Sequence, residues 1–115
     1  MYSVKLELGA NSYDLRLTVS NTIKLQKAIN KSPIEVFSKL ENGLPDIEEL
    51  AQVLYYSLQP KHSDEFNNLG SVYALLDRYI DEGNDITKLI YLILDVYKVS
   101  GIIPKETDLK NAIKK

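Results

Sequence analysis

The sequence holds no cysteine, no tryptophan, one histidine and two phenylalanines among its 115 residues. Without cysteine, disulfide frameworks, thiolate zinc sites and cysteine nucleophiles are excluded. The lone histidine, His62, sits in the polar stretch PKHSDEF and reads as a solvent-exposed loop residue, which leaves a Ser/His/Asp arrangement little to build on. The five glycines, Gly9, Gly43, Gly70, Gly83 and Gly101, stand isolated, so no glycine-rich phosphate loop is present. A membrane-crossing helix needs about 20 apolar residues. The most apolar stretch, DITKLIYLILDVYKVSG at 85–101, is interrupted by Asp95 and stops at Gly101. The opening MYSVKLEL lacks the basic region, apolar run and small-residue site of a signal peptide, so the chain is expected to stay in the cytoplasm.

Neither sign of charge is in excess, since 14 basic and 16 acidic residues leave a net −2. A chain that grips phosphates presents a basic face, and the bulk composition offers none, which argues against nucleic acid as a partner. With 44% hydrophobic and 26% charged residues, the composition is that of a folded chain rather than a disordered one. A length of 115 residues predicts a single domain with a modest core over 1–103, followed by a polar tail over 104–115 that is frayed or disordered.

Alternation of apolar and polar residues puts Tyr2, Val4, Leu6 and Leu8 on one face of a first strand. Tyr13, Leu15, Leu17 and Val19 do the same for a second, with Gly9-Ala-Asn-Ser12 as the connecting loop. Two such runs predict a β-hairpin with one buried face, which must rest on the helices downstream of it. Ser20 is the expected N-cap of a helix running to about Lys31. Ser32-Pro33-Ile34-Glu35 offers a capping box with proline at the first helical position, and Asn42-Gly43 a stop. Asp46 opens a helix whose stripe is Ile47, Leu50, Ala51, Leu54 and Leu58, with Pro60 as its expected end. Leu69, Val72, Leu75, Leu76, Tyr79 and Ile80 mark another, closed by Gly83. The predicted fold is therefore α+β: an N-terminal β-hairpin packed on a mostly α-helical bundle of four to five helices.

The segment from Asp85 to Gly101 is long enough for about four turns and is predicted helical. Ile86, Leu89, Ile90, Ile93 and Tyr97 form one stripe, and Leu92, Val96 and Val99 a second beside it. Lys88, Tyr91, Asp95 and Lys98 share what remains. So wide an apolar arc predicts a central helix packed on two sides within the monomer; the alternative is that the second stripe meets another subunit.

Little in the sequence carries chemistry. Carboxylates are paired at Glu48-Glu49, Asp64-Glu65 and Asp81-Glu82, but the first pair is at home in a helix's first turn. The set Asp77, Asp81, Glu82 and Asp85 fits no calcium loop and reads as a solvated acidic edge. No cofactor, metal or catalytic residue is implied, and an enzyme is not expected. The compositional excess is in tyrosine, with eight. Tyr2, Tyr13, Tyr73, Tyr79 and Tyr97 fall on predicted inner faces. Tyr56 and Tyr91 point outward and, with Leu92 and Val96 of the second stripe, are the candidate partner-binding residues.

LELGANSYDLRLTV, then IEELAQVLYYSLQ, YALLDRYIDEG and a closing VSGII together resemble the small tail assembly chaperones of long-tailed bacteriophages and prophages. The resemblance runs from about residue 2 to 103 and includes no catalytic motif. It implies a non-enzymatic helper that binds the tape measure protein, keeps its long helices soluble and recruits tail tube subunits, without being part of the mature virion. It also implies a longer frameshifted product, for which the codons of Lys114-Lys115 are a candidate slip site. The alternative is a small helical DNA-binding or regulatory protein reading through Lys24, Lys27 and Lys31.

Overall fold

The structure is a computed structural model that describes residues 2–42 and 46–103. The expected tail from Pro104, and Gly43 as the stop of the second helix, lie outside the described residues. The fold is α+β, a two-stranded antiparallel hairpin followed by five helices among the described residues. Strand β1 is Val4–Leu8 and β2 is Asn11–Leu15, with Leu6 opposite Tyr13 and Leu8 opposite Asn11. The connection is tighter than the expected four-residue loop: Gly9 and Ala10 alone make the turn. Gly9 takes φ +57°, as a glycine-first two-residue hairpin turn requires.

Period-two patterning is obeyed inside the hairpin, where Leu6, Leu8, Tyr13 and Leu15 are buried. It fails at both ends. Tyr2 is exposed, and Val19, expected on the strand's inner face, is 79% exposed at the start of a helix. The strand ends at Leu15, and Arg16 instead donates its amide to the Ser57 carbonyl at 3.0 Å.

Helix α1 (Val19–Ile29) starts two residues earlier than Ser20 would place it. Its cap is Thr18, whose hydroxyl accepts from the Asn21 amide at 3.2 Å, and Asn30 in the left-handed region closes it. Helix α2 (Pro33–Glu41) opens with the expected reciprocal box: the Ser32 hydroxyl accepts from the Glu35 amide at 3.3 Å, and the Glu35 carboxylate from the Ser32 amide at 3.5 Å. Helix α3 (Ile47–His62) is capped by Asp46 and runs through Pro60 instead of ending there. Proline there removes one ladder bond, and tertiary contacts at His62 hold the last turn. Helices α4 (Leu69–Asp81) and α5 (Ile86–Val99) carry Asn68 and Asp85 as caps, accepting at 3.0 and 2.9 Å.

The core gathers around α3, not α5. Leu50, Ala51, Val53, Leu54 and Leu58 are all fully buried, and α3 packs on α1, β2, α4 and α5. Helix α5 packs on α3 and β1, burying Leu89, Ile93, Val96 and Tyr97. Near the end of α5 the chain meets its own beginning: the Leu17 amide donates to the Ser100 hydroxyl at 2.9 Å, and the Arg16 guanidinium reaches the Val99 carbonyl at 3.4 Å. A nearly buried carboxylate, Glu49, is held by Lys31 and Lys39, which joins the α1–α2 region to the central helix. No helix among the described residues is long and apolar enough to cross a membrane.

Candidate partner-binding groove

Helix α4 has a wider apolar arc than its neighbours cover. Val72, Leu75 and Tyr79 face the core and are buried. At about 100° per residue, Tyr73, Leu76 and Ile80 form an adjacent stripe. That stripe meets the first turn of α3 and the first two turns of α5, where Ile47, Ile86 and Leu89 complete a groove with a volume of 220 Å³. Three large apolar side chains stay in water along it: Ile47 at 57% exposure, Tyr73 at 45% and Ile80 at 50%. Tyr73, expected on an inner face, thus stands on the groove wall, because none of the described elements covers that side of α4.

The groove is acidic at its border. Asp77 lines it, Asp81 adjoins Ile80 in sequence and Asp85 adjoins Ile86. Among the described residues none of these three carboxylates is in an ion pair. Burial, with the charge of Asp85 adding to it, raises the Tyr79 hydroxyl above the usual tyrosine range. Glu82 is engaged elsewhere: it accepts from the Gly9 amide at 2.8 Å and ties the hairpin tip to the end of α4. Among the described residues no group of three or more histidines and carboxylates is arranged to hold a metal ion.

The four residues singled out from sequence do not share one surface. Val96 is 0% exposed and belongs to the monomer's core, because the α5 stripe it heads turns onto α3 and the hairpin. Leu92 is half-buried against that core. Tyr91 stands 65% exposed on the outer face of α5. Tyr56, half-buried, packs edge-on against Tyr55 with ring centroids 4.9 Å apart, in a polar cleft between α1 and α3 that Asn21 and Lys24 also line. Of the lysines on and after α1, Lys24 and Lys27 are exposed, while Lys31 turns in to Glu49. The groove side chains were legible as apolar positions; what sequence could not supply was which part of α4's arc goes uncovered.

A second cluster lies between β2 and the end of α3. His62 is not a solvated loop residue: it ends α3, and its Nε2 accepts from the Asp14 amide at 2.9 Å. Its ring meets Tyr13 edge-on at 5.3 Å, and Tyr13 meets Phe66 in the same way. The Tyr13 hydroxyl donates to the Glu65 carboxylate at 2.8 Å. Burial first, then that bond, push the Tyr13 hydroxyl up. The Asp14 side chain takes Lys5 and Lys61. With the His62 lone pair engaged by backbone, the cluster fastens the hairpin to α3.

Together these features define a small α+β domain that, among the described residues, leaves an apolar, acid-rimmed groove open. Its amino-acid sequence matches no family model and no curated protein, and no solved structure matches it either.

Proposed function

We propose that this domain is a non-enzymatic binding module that holds an apolar helix of another protein in the α3–α4–α5 groove. The observation that supports this reading is the shared position of Ile47, Tyr73 and Ile80, three large apolar side chains kept in water along one cleft. Apolar clefts of this kind accept amphipathic helices through anchors spaced at three, four and seven residues. Covering half-exposed side chains yields about 1 kcal/mol each, against an association cost of several. One groove is therefore a weak clamp, and useful avidity needs many copies along one long partner. That requirement agrees with the resemblance to tail assembly chaperones, in which the partner is the tape measure protein and tail tube subunits are recruited around it.

The test is co-expression with a tape measure protein encoded in the same genome, read out as partner solubility and co-purification. Capture by the native chain, lost in Tyr73→Asp/Ile80→Asp with its circular dichroism unchanged, supports the groove. Capture unaffected by that pair moves the site elsewhere, and Tyr91→Ala and Tyr56→Ala then probe the other two outward tyrosines. An insoluble partner with nothing co-purifying ends the chaperone reading.

A further inference from the structure

The groove is apolar along its floor and of one sign along its edge. Around α4, at about 100° per residue, Tyr73, Leu76 and Ile80 lie within about 60° of one another, with the buried Val72, Leu75 and Tyr79 on one side of them. Asp77 and Asp81 follow on the other side, about 40° and 80° from Tyr73. Two exposed carboxylates thus run beside the apolar row, one turn apart and about 6 Å along the axis. Asp85 at the start of α5 and Glu48 beside Ile47 are exposed too. The basic residues nearest in sequence face away. Arg78 lies beyond the acid row, where its charge acts on the Tyr13 hydroxyl, and Lys88 is about 160° around α5 from Ile86.

These acids do not suit the helix that carries them. Asp81 is the last residue of α4, where the helix dipole favours a cation, and like charges four apart on a helix repel. Among the described residues neither Asp77 nor Asp81 is in an ion pair that would offset this. A second copy is a poor complement, because a two-fold contact through this face puts the same acid row on both sides of the interface. The complement is a cationic partner.

We propose that the groove selects a basic amphipathic helix, with an apolar stripe for Tyr73, Leu76 and Ile80 and, along one edge of that stripe, Lys or Arg one turn apart to meet Asp77 and Asp81. This rests on the reading of the groove as a helix-binding surface and adds which helices it takes. Apolar burial supplies affinity but accepts almost any amphipathic helix. The charged edge sets orientation, speeds association and rejects helices flanked by acid.

The test uses synthetic peptides of about 18 residues, long enough to hold a helix against a surface, with identical leucine anchors. One has lysine at the edge positions and a second has glutamate there. A third carries the lysines on its outer face, at the net charge of the first. Each is titrated into the full chain, and the isoleucine methyl resonances are followed. The lysine-edged peptide should shift Ile47, Ile80 and Ile86 and leave Ile23 on α1 in place. It should bind about tenfold more tightly than the glutamate-edged one, as two rim pairs turn from attraction to repulsion. At about 1 M salt, where the Debye length is about 3 Å, that preference should vanish. Asp77→Lys/Asp81→Lys puts a cation at the helix end and should stay folded by circular dichroism while preferring the glutamate-edged peptide.

Equal binding of the first two peptides in the groove overturns the charge selection and leaves the helix-binding reading. So does a preference that the double variant leaves unchanged, or a third peptide as tight as the first. Groove shifts that grow with the concentration of the chain alone assign the groove to a second copy and also overturn the proposal. No groove shift with any peptide removes the helix-binding reading itself.

Discussion

The backbone amide of Asp14 donates to His62 Nε2 at 2.9 Å, across 48 residues of chain. A histidine that sequence places in a polar connector thus serves as the acceptor that secures β2 to the end of α3. The bond requires an unprotonated Nε2. His62→Phe keeps the edge-on contact with Tyr13 and removes the acceptor, leaving a partly buried amide unmatched. It should destabilise by about 1–2 kcal/mol. His62→Ala, which loses the ring contact too, should cost about 1 kcal/mol more. Urea denaturation checks both, and equal midpoints for His62→Phe and the native chain would refute the role.

Asp14 also predicts a pH dependence. The Lys5 ammonium hydrogen-bonded to it is the main cause that lowers its carboxyl below the usual range. The charges of Lys5 and Lys61 and the Ser3 hydroxyl add to this, and partial burial opposes it. A depressed folded-state pKa means that the contribution is present above the unfolded value of about 3.9 and fades as pH falls through the folded one. Stability measured in urea should therefore fall more steeply below about pH 4 in the native chain than in Asp14→Asn. Parallel curves would show that the ion pairs contribute nothing measurable, as exposed pairs sometimes do.

Tyr97 is fully buried, and its hydroxyl has no hydrogen-bond partner among the described residues. Burial, with the Glu49 charge adding to it, pushes that hydroxyl well above the ordinary tyrosine range. An unmatched buried hydroxyl costs stability and the ring provides it, so Tyr97→Phe should be neutral or stabilising by about 0.5–1 kcal/mol. A loss above about 1 kcal/mol would instead reveal a bound water or another partner at that oxygen.

Ile93 is 0% exposed at the centre of α5. Ile93→Asp should abolish the cooperative thermal transition, since an unpaired buried charge takes away much of the stability a small domain has. Tyr91→Asp, two residues away and exposed, should change stability by less than about 0.5 kcal/mol. If Ile93→Asp stayed folded and lost only assembly, α5 would be an interface rather than part of the core.

The hairpin, the capping box at Ser32 and Glu35, and the caps at Asp46 and Asp85 were legible because each is a local pattern with a local cause. The errors share a different cause. Ser20 was as good a cap as Thr18 by composition; the choice was made by Arg16 bonding to Ser57, a contact set by the tertiary fold. Pro60 reads as a stop, yet contacts made by His62 keep the helix going. The apolar width of α5 suggested the central position, whereas α3, with a plainer stripe, takes it because it faces four other elements. Val96, a candidate for partner binding, went into the core, whereas Tyr73, expected on an inner face, stands on an open wall. Periodicity states how wide an apolar face is, and only the arrangement of neighbours states which part of it stays wet.

The bonds from Arg16 and Leu17 to Val99 and Ser100 have a consequence for how the molecule is made. The hairpin leaves the ribosome before the five described helices, but its apolar face rests on α3 and on α5. Until residue 100 or so has emerged, the strands have nowhere to settle, and a two-stranded hairpin alone is marginal in water. The domain therefore cannot mature piece by piece. It must close in one late step, with the beginning of the chain waiting on the far end of α5.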